Sequence, residues 1–284
     1  MKKIDEIITM HDGERLQAAR FETESSLETK GVVQVIHGFG EHIDMYAGLA
    51  AFLTANGFNM VIHNQRGFGK MIDKTEIEAH RARGVVADYS FFLKDAKTVL
   101  QSIRQWYPEL PVMLYGHSMG GNIAISILRS RPSEYNKAIL ETPWLRLYNQ
   151  PYRFVRYLAK KLGNISHKFA VTSKINIADI TRDEEMMRKI SLDKIYHNRI
   201  SLKLFTQITL VGRSILIEEA SINIPTLLLC GGQDKIVCPE AIRAFAKSSN
   251  ENVQFIDYPD GYHALRNDTI KADVMNDMLA FLVA

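Results

Sequence analysis

Cysteine is nearly missing from this sequence, with two in 284 residues, Cys230 and Cys238. A lone pair supplies neither a disulfide framework nor a zinc-ligand pattern, so both are expected to be reduced thiols in a cytoplasmic protein. No apolar run approaches the roughly 18 residues of a helical membrane span. Lys2 and Lys3 are followed by Asp5 and Glu6 where a signal peptide needs its apolar stretch, so secretion by that route is not expected. A glycine-rich loop with a P-loop lysine is absent, as is G-x-G-x-x-G after the first parallel strand. No two histidines have the helical spacing and third ligand of a zinc site. These absences remove nucleotide, dinucleotide and metal chemistry, and no metal and no cofactor is expected.

The rest of the composition is ordinary: 46% hydrophobic and 24% charged, enough chain to bury one substantial core. The net charge of +3 is unevenly spread, because Pro143 to Ile222 holds 14 Lys/Arg against 7 Asp/Glu. Asp12-Gly13 between Ile4–Met10 and Leu16–Glu22 predicts an opening antiparallel pair. Six short apolar runs then suit buried parallel strands: Val32–Ile36, Met60–His63, Val112–Tyr115, Ala138–Leu140, Thr226–Cys230 and Val253–Ile256. Helical patterns at Met45–Ala55, Phe92–Trp106, Ala241–Ser248 and Ile270–Leu282 alternate with them. The expected fold is α/β, a mostly parallel eight-stranded sheet with helices on both faces. No strand is evident between Trp144 and Ile222. The expected organisation is a core of residues 1–143 and 223–284 with a helical cap insertion at 144–222.

Gly116-His117-Ser118-Met119-Gly120-Gly121 follows one predicted strand and opens a helix, the arrangement of a nucleophile elbow. G-x-S-x-G alone arises by chance in roughly one chain in ten of this length, so the partners decide. A serine hydroxyl needs a base, itself oriented by a third group. His263 lies in the loop after the last strand and Asp234 in the loop after the strand before it. Both loops reach the sheet edge where ligands of such folds bind. The roles follow: Ser118 nucleophile, His263 base, Asp234 orienting acid. Backbone N–H groups of Met119 and Phe39, the latter between Gly38 and Gly40, are the expected oxyanion donors. His37 and His117 are expected to hydrogen-bond locally, His42, His63 and His197 to be structural, and His11, His80 and His167 to be solvated.

His37-Gly38-Phe39-Gly40-Glu41-His42 together with the Ser118 elbow resembles the monoacylglycerol lipase and lysophospholipase group of the α/β-hydrolase superfamily, serine aminopeptidase S33-type hydrolases. Ser118, Asp234 and His263 follow one another at the intervals that group has. The resemblance extends to Ile224-Pro225-Thr226-Leu227-Leu228-Leu229 and to Thr181-Arg182-Asp183, Asp193, His197 and Ser201 in the insertion. One departure stands out: Asn64-Gln65-Arg66-Gly67-Phe68-Gly69-Lys70-Met71 lacks the first acid and last serine of the group's Asp-x-Arg-Gly-x-Gly-x-Ser. This loop is read as support for the oxyanion turn.

The resemblance implies a serine esterase acting through an acyl-enzyme on monoacyl lipids or smaller esters. It also implies a cap that shapes an acyl pocket and touches membranes. Trp144–Asn164, basic and amphipathic with no acid, fits either a cap helix or peripheral contact with an anionic lipid surface. Nucleic acid is not expected, since no binding module accompanies the basic stretch, and no obligate protein partner is inferred. Two alternatives stay open: an aminopeptidase-like peptidase using Glu184, Glu185, Glu218 or Glu219 to hold a free amino terminus, and a catalytically silent binding protein.

Overall fold

The computed structural model describes residues 1–24, 28–218 and 222–284. β1 (Lys2–Thr9) and β2 (Arg15–Glu22) form the opening hairpin, turning through Gly13 at φ 87°. The chain continues through β3 (Gly31–Ile36), α1 (Ala47–Ala55), β4 (Phe58–His63), α2 (Glu76–Ala82) and α3 (Ser90–Trp106). Next come β5 (Val112–His117), α4 (Met119–Ser130) and β6 (Lys137–Glu141). The eight-stranded sheet has the order β1-β2-β4-β3-β5-β6-β9-β10, where β9 is Thr226–Gly231 and β10 is Val253–Tyr258. β1, β2 and the β2–β4 pairing are antiparallel and all other pairings are parallel.

Strand side chains alternate between two cores, as a period of two requires. Ile36, Leu114, Leu140 and Leu228 meet α3, α4 and α8 (Pro239–Ser248) on one face. Val35, Tyr115, Ile139 and Leu229 meet α1 and α9 (Lys271–Val283) on the other. Burial on both sides explains why β3, β4, β5 and β9 read as largely apolar runs, broken in β3 by Gln34 and in β4 by Asn59.

Between β6 and β9 lie α5 (Arg153–Ile165), β7 (Ala170–Thr172), α6 (Glu184–Leu192), β8 (Arg199–Ser201) and α7 (Leu202–Ile217). The two strands correct the expectation of a purely helical stretch: β7 and β8 pair antiparallel over three residues each. Runs that short have no readable alternation. This segment is tied to the loops of the sheet edge by His42–Asp193 (2.6 Å), Arg182–Asp268 (3.0 Å) and His197 Nε2 to the Gly67 carbonyl (3.0 Å). Thr75 and Glu78 form a capping box that starts α2, a helix the apolar pattern did not signal.

Candidate active site

Five loops leave the C-terminal ends of β3, β5, β6, β9 and β10 and meet at one edge of the sheet. Ser118 has φ 54° and ψ −114°, a backbone state that costs a non-glycine residue about 1–3 kcal/mol. Its surroundings hold it there: Ser118 N–H donates to the Glu141 carbonyl (3.0 Å), while its own carbonyl accepts from Trp144 (2.9 Å) and Asn122 (3.1 Å). The neighbouring glycines are required by space. A Cβ on Gly116 would sit 2.5 Å from the Gly120 carbonyl oxygen, and one on Gly121 would sit 2.8 Å from Pro143 Cβ. One on Gly120 would fall on the Ile36 and His37 carbonyls.

His263 Nδ1 donates to Asp234 Oδ2 at 2.7 Å. Asp234 Oδ1 accepts from the Ile236 (2.8 Å) and Val237 (2.9 Å) N–H groups, so the buried carboxylate is fixed at both oxygens. The His263 carbonyl accepts from Thr142 Oγ1 at 2.8 Å, locking the loop. Ser118 and His263 line the same cavity of about 600 Å³, together with Phe39, His117, Trp144, Leu147, Val155 and Phe205. Among the described residues no hydrogen bond joins Ser118 Oγ to His263. Neither the Phe39 nor the Met119 N–H has a protein acceptor among them, and Met119 opens α4, where the helix dipole presents its positive end.

The β3 loop is held from below. His37 Nε2 accepts from the Gln65 N–H (2.9 Å), which makes Nδ1 the donor to the Gly38 carbonyl (2.8 Å). Gln65 Nε2 donates to the His37 carbonyl at 2.7 Å, and Arg66 is clamped by Asp95 at 2.6 Å through both Nε and Nη2. Phe68 stands edge-on to Phe39. The divergent loop therefore braces the turn without the acid and serine it lacks. Burial pushes His37 and His117 down to about 4, so both are neutral near pH 7.

Beneath the cavity lies a charge cluster that the sequence did not signal. Glu41 Oε2 accepts from the Gly38 N–H (2.6 Å), Tyr46 OH (2.6 Å) and His117 Nδ1 (3.1 Å), and its Oε1 accepts from Arg266 Nη2 (2.7 Å). Arg266, 1% exposed, also reaches Glu141 with Nη1 (3.2 Å) and its backbone N–H (3.0 Å). Burial works against a charge on Glu41, yet Arg266 and the hydrogen bonds from His117 and Tyr46 hold its carboxyl well below the usual range. On Glu141 burial outweighs Arg266 and pushes the carboxyl upward. A lone arginine three residues after His263 reads as a surface charge, so only the fold reveals this cluster.

Asp179, Lys174 and Lys235 also line the cavity, likewise unsignalled. The acids offered for holding an amino terminus are elsewhere. Glu185 pairs with Lys189 and Glu218 with Arg129 at the surface, Glu184 is exposed at the start of α6, and Glu219 lies outside the described residues.

A family model described as serine aminopeptidase, S33, matches residues 27–270. Among curated relatives, the chain is similar to a monoacylglycerol lipase of Mycolicibacterium smegmatis, 25% identical over 259 residues, 90% of this chain and 89% of that protein. It is also similar to a phospholipase of Bacillus subtilis, 26% identical over 253 residues, 88% of this chain and 94% of that one. A solved structure of a soluble variant of the Saccharomyces cerevisiae monoglyceride lipase, in complex with a substrate analog, superposes with a TM-score of 0.82. It is 21% identical and covers 98% of this chain and 95% of that one, a likeness of fold.

Proposed function

Since the chain belongs to the serine aminopeptidase S33 family and is a carboxylic ester hydrolase on the α/β-hydrolase scaffold, we propose that it cleaves monoacyl lipids, monoacylglycerols or lysophospholipids, through an acyl-enzyme. Ser118 Oγ attacks the ester carbonyl while His263 takes its proton and returns it to the leaving alkoxide. Asp234 keeps His263 in the Nδ1–H tautomer and stabilises the imidazolium. The Phe39 and Met119 N–H groups receive the oxyanion, where each such donor is worth about 10²–10³ in rate. Water, activated by the same His263, then releases the fatty acid.

The observation that carries this reading is that Ser118, the Asp234-braced His263 and Phe39 line one apolar-walled cavity. The segment 144–222 acts as its cap, with Trp144, Leu147, Val155 and Phe205 as the acyl wall. Ser118→Ala should abolish both p-nitrophenyl ester turnover and labelling by a fluorophosphonate; labelling at the wild-type rate would refute the assignment. Of the two acids that line the cavity, Glu41 is already taken by Arg266 and Asp179 shares the lining with Lys174 and Lys235, so an amino-acid amide should be cleaved far more slowly than a monoacylglycerol.

The protein contacts the membrane peripherally, from the cytoplasm. On α5 the exposed Phe154, Leu158 and Ile165 form one helical face and Arg153, Arg156 and Lys160 the opposite one, the pattern of a helix lying in a lipid interface. Among the described residues no helix is long and apolar enough to cross a membrane. The protein should sediment with anionic vesicles more than with neutral ones. Equal partitioning, or none, would refute an electrostatic contact.

A further inference from the structure

Beside the catalytic cavity, α5 and α7 enclose a second one of about 580 Å³. Leu147, Phe205 and Leu216 give it apolar walls. Arg146, Arg153, Arg156, Lys160 and Arg213 stand around it, and among the described residues no acidic side chain lines it. The buried and half-buried arginines Arg20, Arg66, Arg182 and Arg266 each find a carboxylate. Here, among the described residues, Arg153, Arg156, Lys160 and Arg213 have none. Arg156 donates from Nη1 to Gln150 Oε1 at 3.0 Å, but its Nε is buried with no acceptor. A guanidinium facing water would have that N–H hydrated, so a solvated charge run does not account for it. A cluster of cations around half-buried apolar walls matches a ligand with one acyl chain and an anionic head.

We propose that this cavity binds a long-chain fatty carboxylate at a site separate from the catalytic one. The chain lies on Leu147, Phe205 and Leu216, and the carboxylate accepts from Arg156 and Arg213. Leu147, Pro151 and Phe205 line both cavities, so the two sites share one wall. The choice of a carboxylate head rests on the ester-hydrolase reading, in which a fatty acid is released on the other side of that wall.

Calorimetric titration of the full chain with laurate below its micelle concentration tests the site, with decyl glucoside and dodecyl phosphate as comparators. Laurate should bind, and Arg156→Gln with Arg213→Gln should weaken it at least tenfold while p-nitrophenyl butyrate turnover stays within twofold of wild type. Laurate affinity unchanged in that double variant would overturn the proposal, as would equal binding of decyl glucoside. Dodecyl phosphate binding more than tenfold tighter than laurate would overturn the carboxylate assignment in favour of a phosphate head. Wild-type protein without p-nitrophenyl butyrate turnover would refute the ester-hydrolase reading and the choice of head with it, while the double variant still judges the cationic site.

Discussion

Replacing Arg266 with Met tests how the floor of the site is held. The guanidinium lies 2.7 Å from Glu41 Oε1 and 3.2 Å from Glu141 Oε2, with its centre 4.2 Å from the Tyr46 ring centroid. Methionine fills much of the volume but leaves two buried carboxylates without their shared cation. Removing one member of a buried ion pair costs about 3–5 kcal/mol. With an unfolding entropy near ~2 cal/mol/K per residue, a chain of 284 residues loses about 1.7 °C per kcal/mol, so the melting temperature should fall by about 5–8 °C at pH 7.5. The deficit should narrow as pH falls. Without Arg266 the carboxylates have raised folded-state values, so the folded protein takes up protons before the unfolded one does and gains stability relative to it on acidification. Thermal melts of both proteins by circular dichroism at pH 7.5 and 5.5 measure this difference. A shift under about 1 °C at pH 7.5, or a deficit that grows at pH 5.5, would refute the reasoning.

Acid should destabilise the wild type early. Burial pushes His37, His117 and His197 down to about 4 and His63 to about 3, whereas an unfolded imidazole titrates near ~6.5. The unfolded chain therefore binds more protons between roughly pH 6.5 and 4, and stability falls as pH drops through that window, by up to about 1.4 kcal/mol per pH unit for each histidine. His63 Nδ1 is buried without a partner, so His63→Leu should flatten the profile, and a wild type equally stable at pH 5 and 7.5 would contradict this. Gly120→Ala should fold but lose at least about 10²-fold in ester turnover, because its methyl drives the elbow away from the Ile36 and His37 carbonyls. Turnover within tenfold of wild type would show that α4 shifts without disturbing the site.

Much of the sheet was legible because β3, β4, β5 and β9 are buried on both faces and their residues say so as apolar runs. The elbow was legible for a steric reason: glycines at 116, 120 and 121 stand where a side chain would strike backbone or Pro143. Asp234 and His263 could be named from their places after β9 and β10, and the fold brings them to 2.7 Å. What escaped depends on distance in three dimensions. Glu41, Glu141 and Arg266 come from a loop, the end of β6 and a 3₁₀ turn, far apart in sequence, and nothing in the sequence shows that they meet. Asp179 sits in a 3₁₀ turn with no periodicity to place it at the cavity. The acids that looked available, Glu184, Glu185 and Glu218, stand out as charge runs, which commonly face water, as these do.

Two glycines outside the elbow set a rule for grafting. A Cβ on Gly40 would strike the His197 carbonyl, and one on Gly84 the Arg199 carbonyl, both at positive φ. The stretch 197–201 is therefore moulded against these two backbone positions, one of them next to Phe39. A chimera that imports the whole of 144–222 from a homologue must match that mould at both glycines or displace the turn beside Ser118. Exchange confined to α5 and its flanks, 150–168, leaves those two backbone contacts as they are while replacing Pro151, Val155 and Ala159 of the cavity lining.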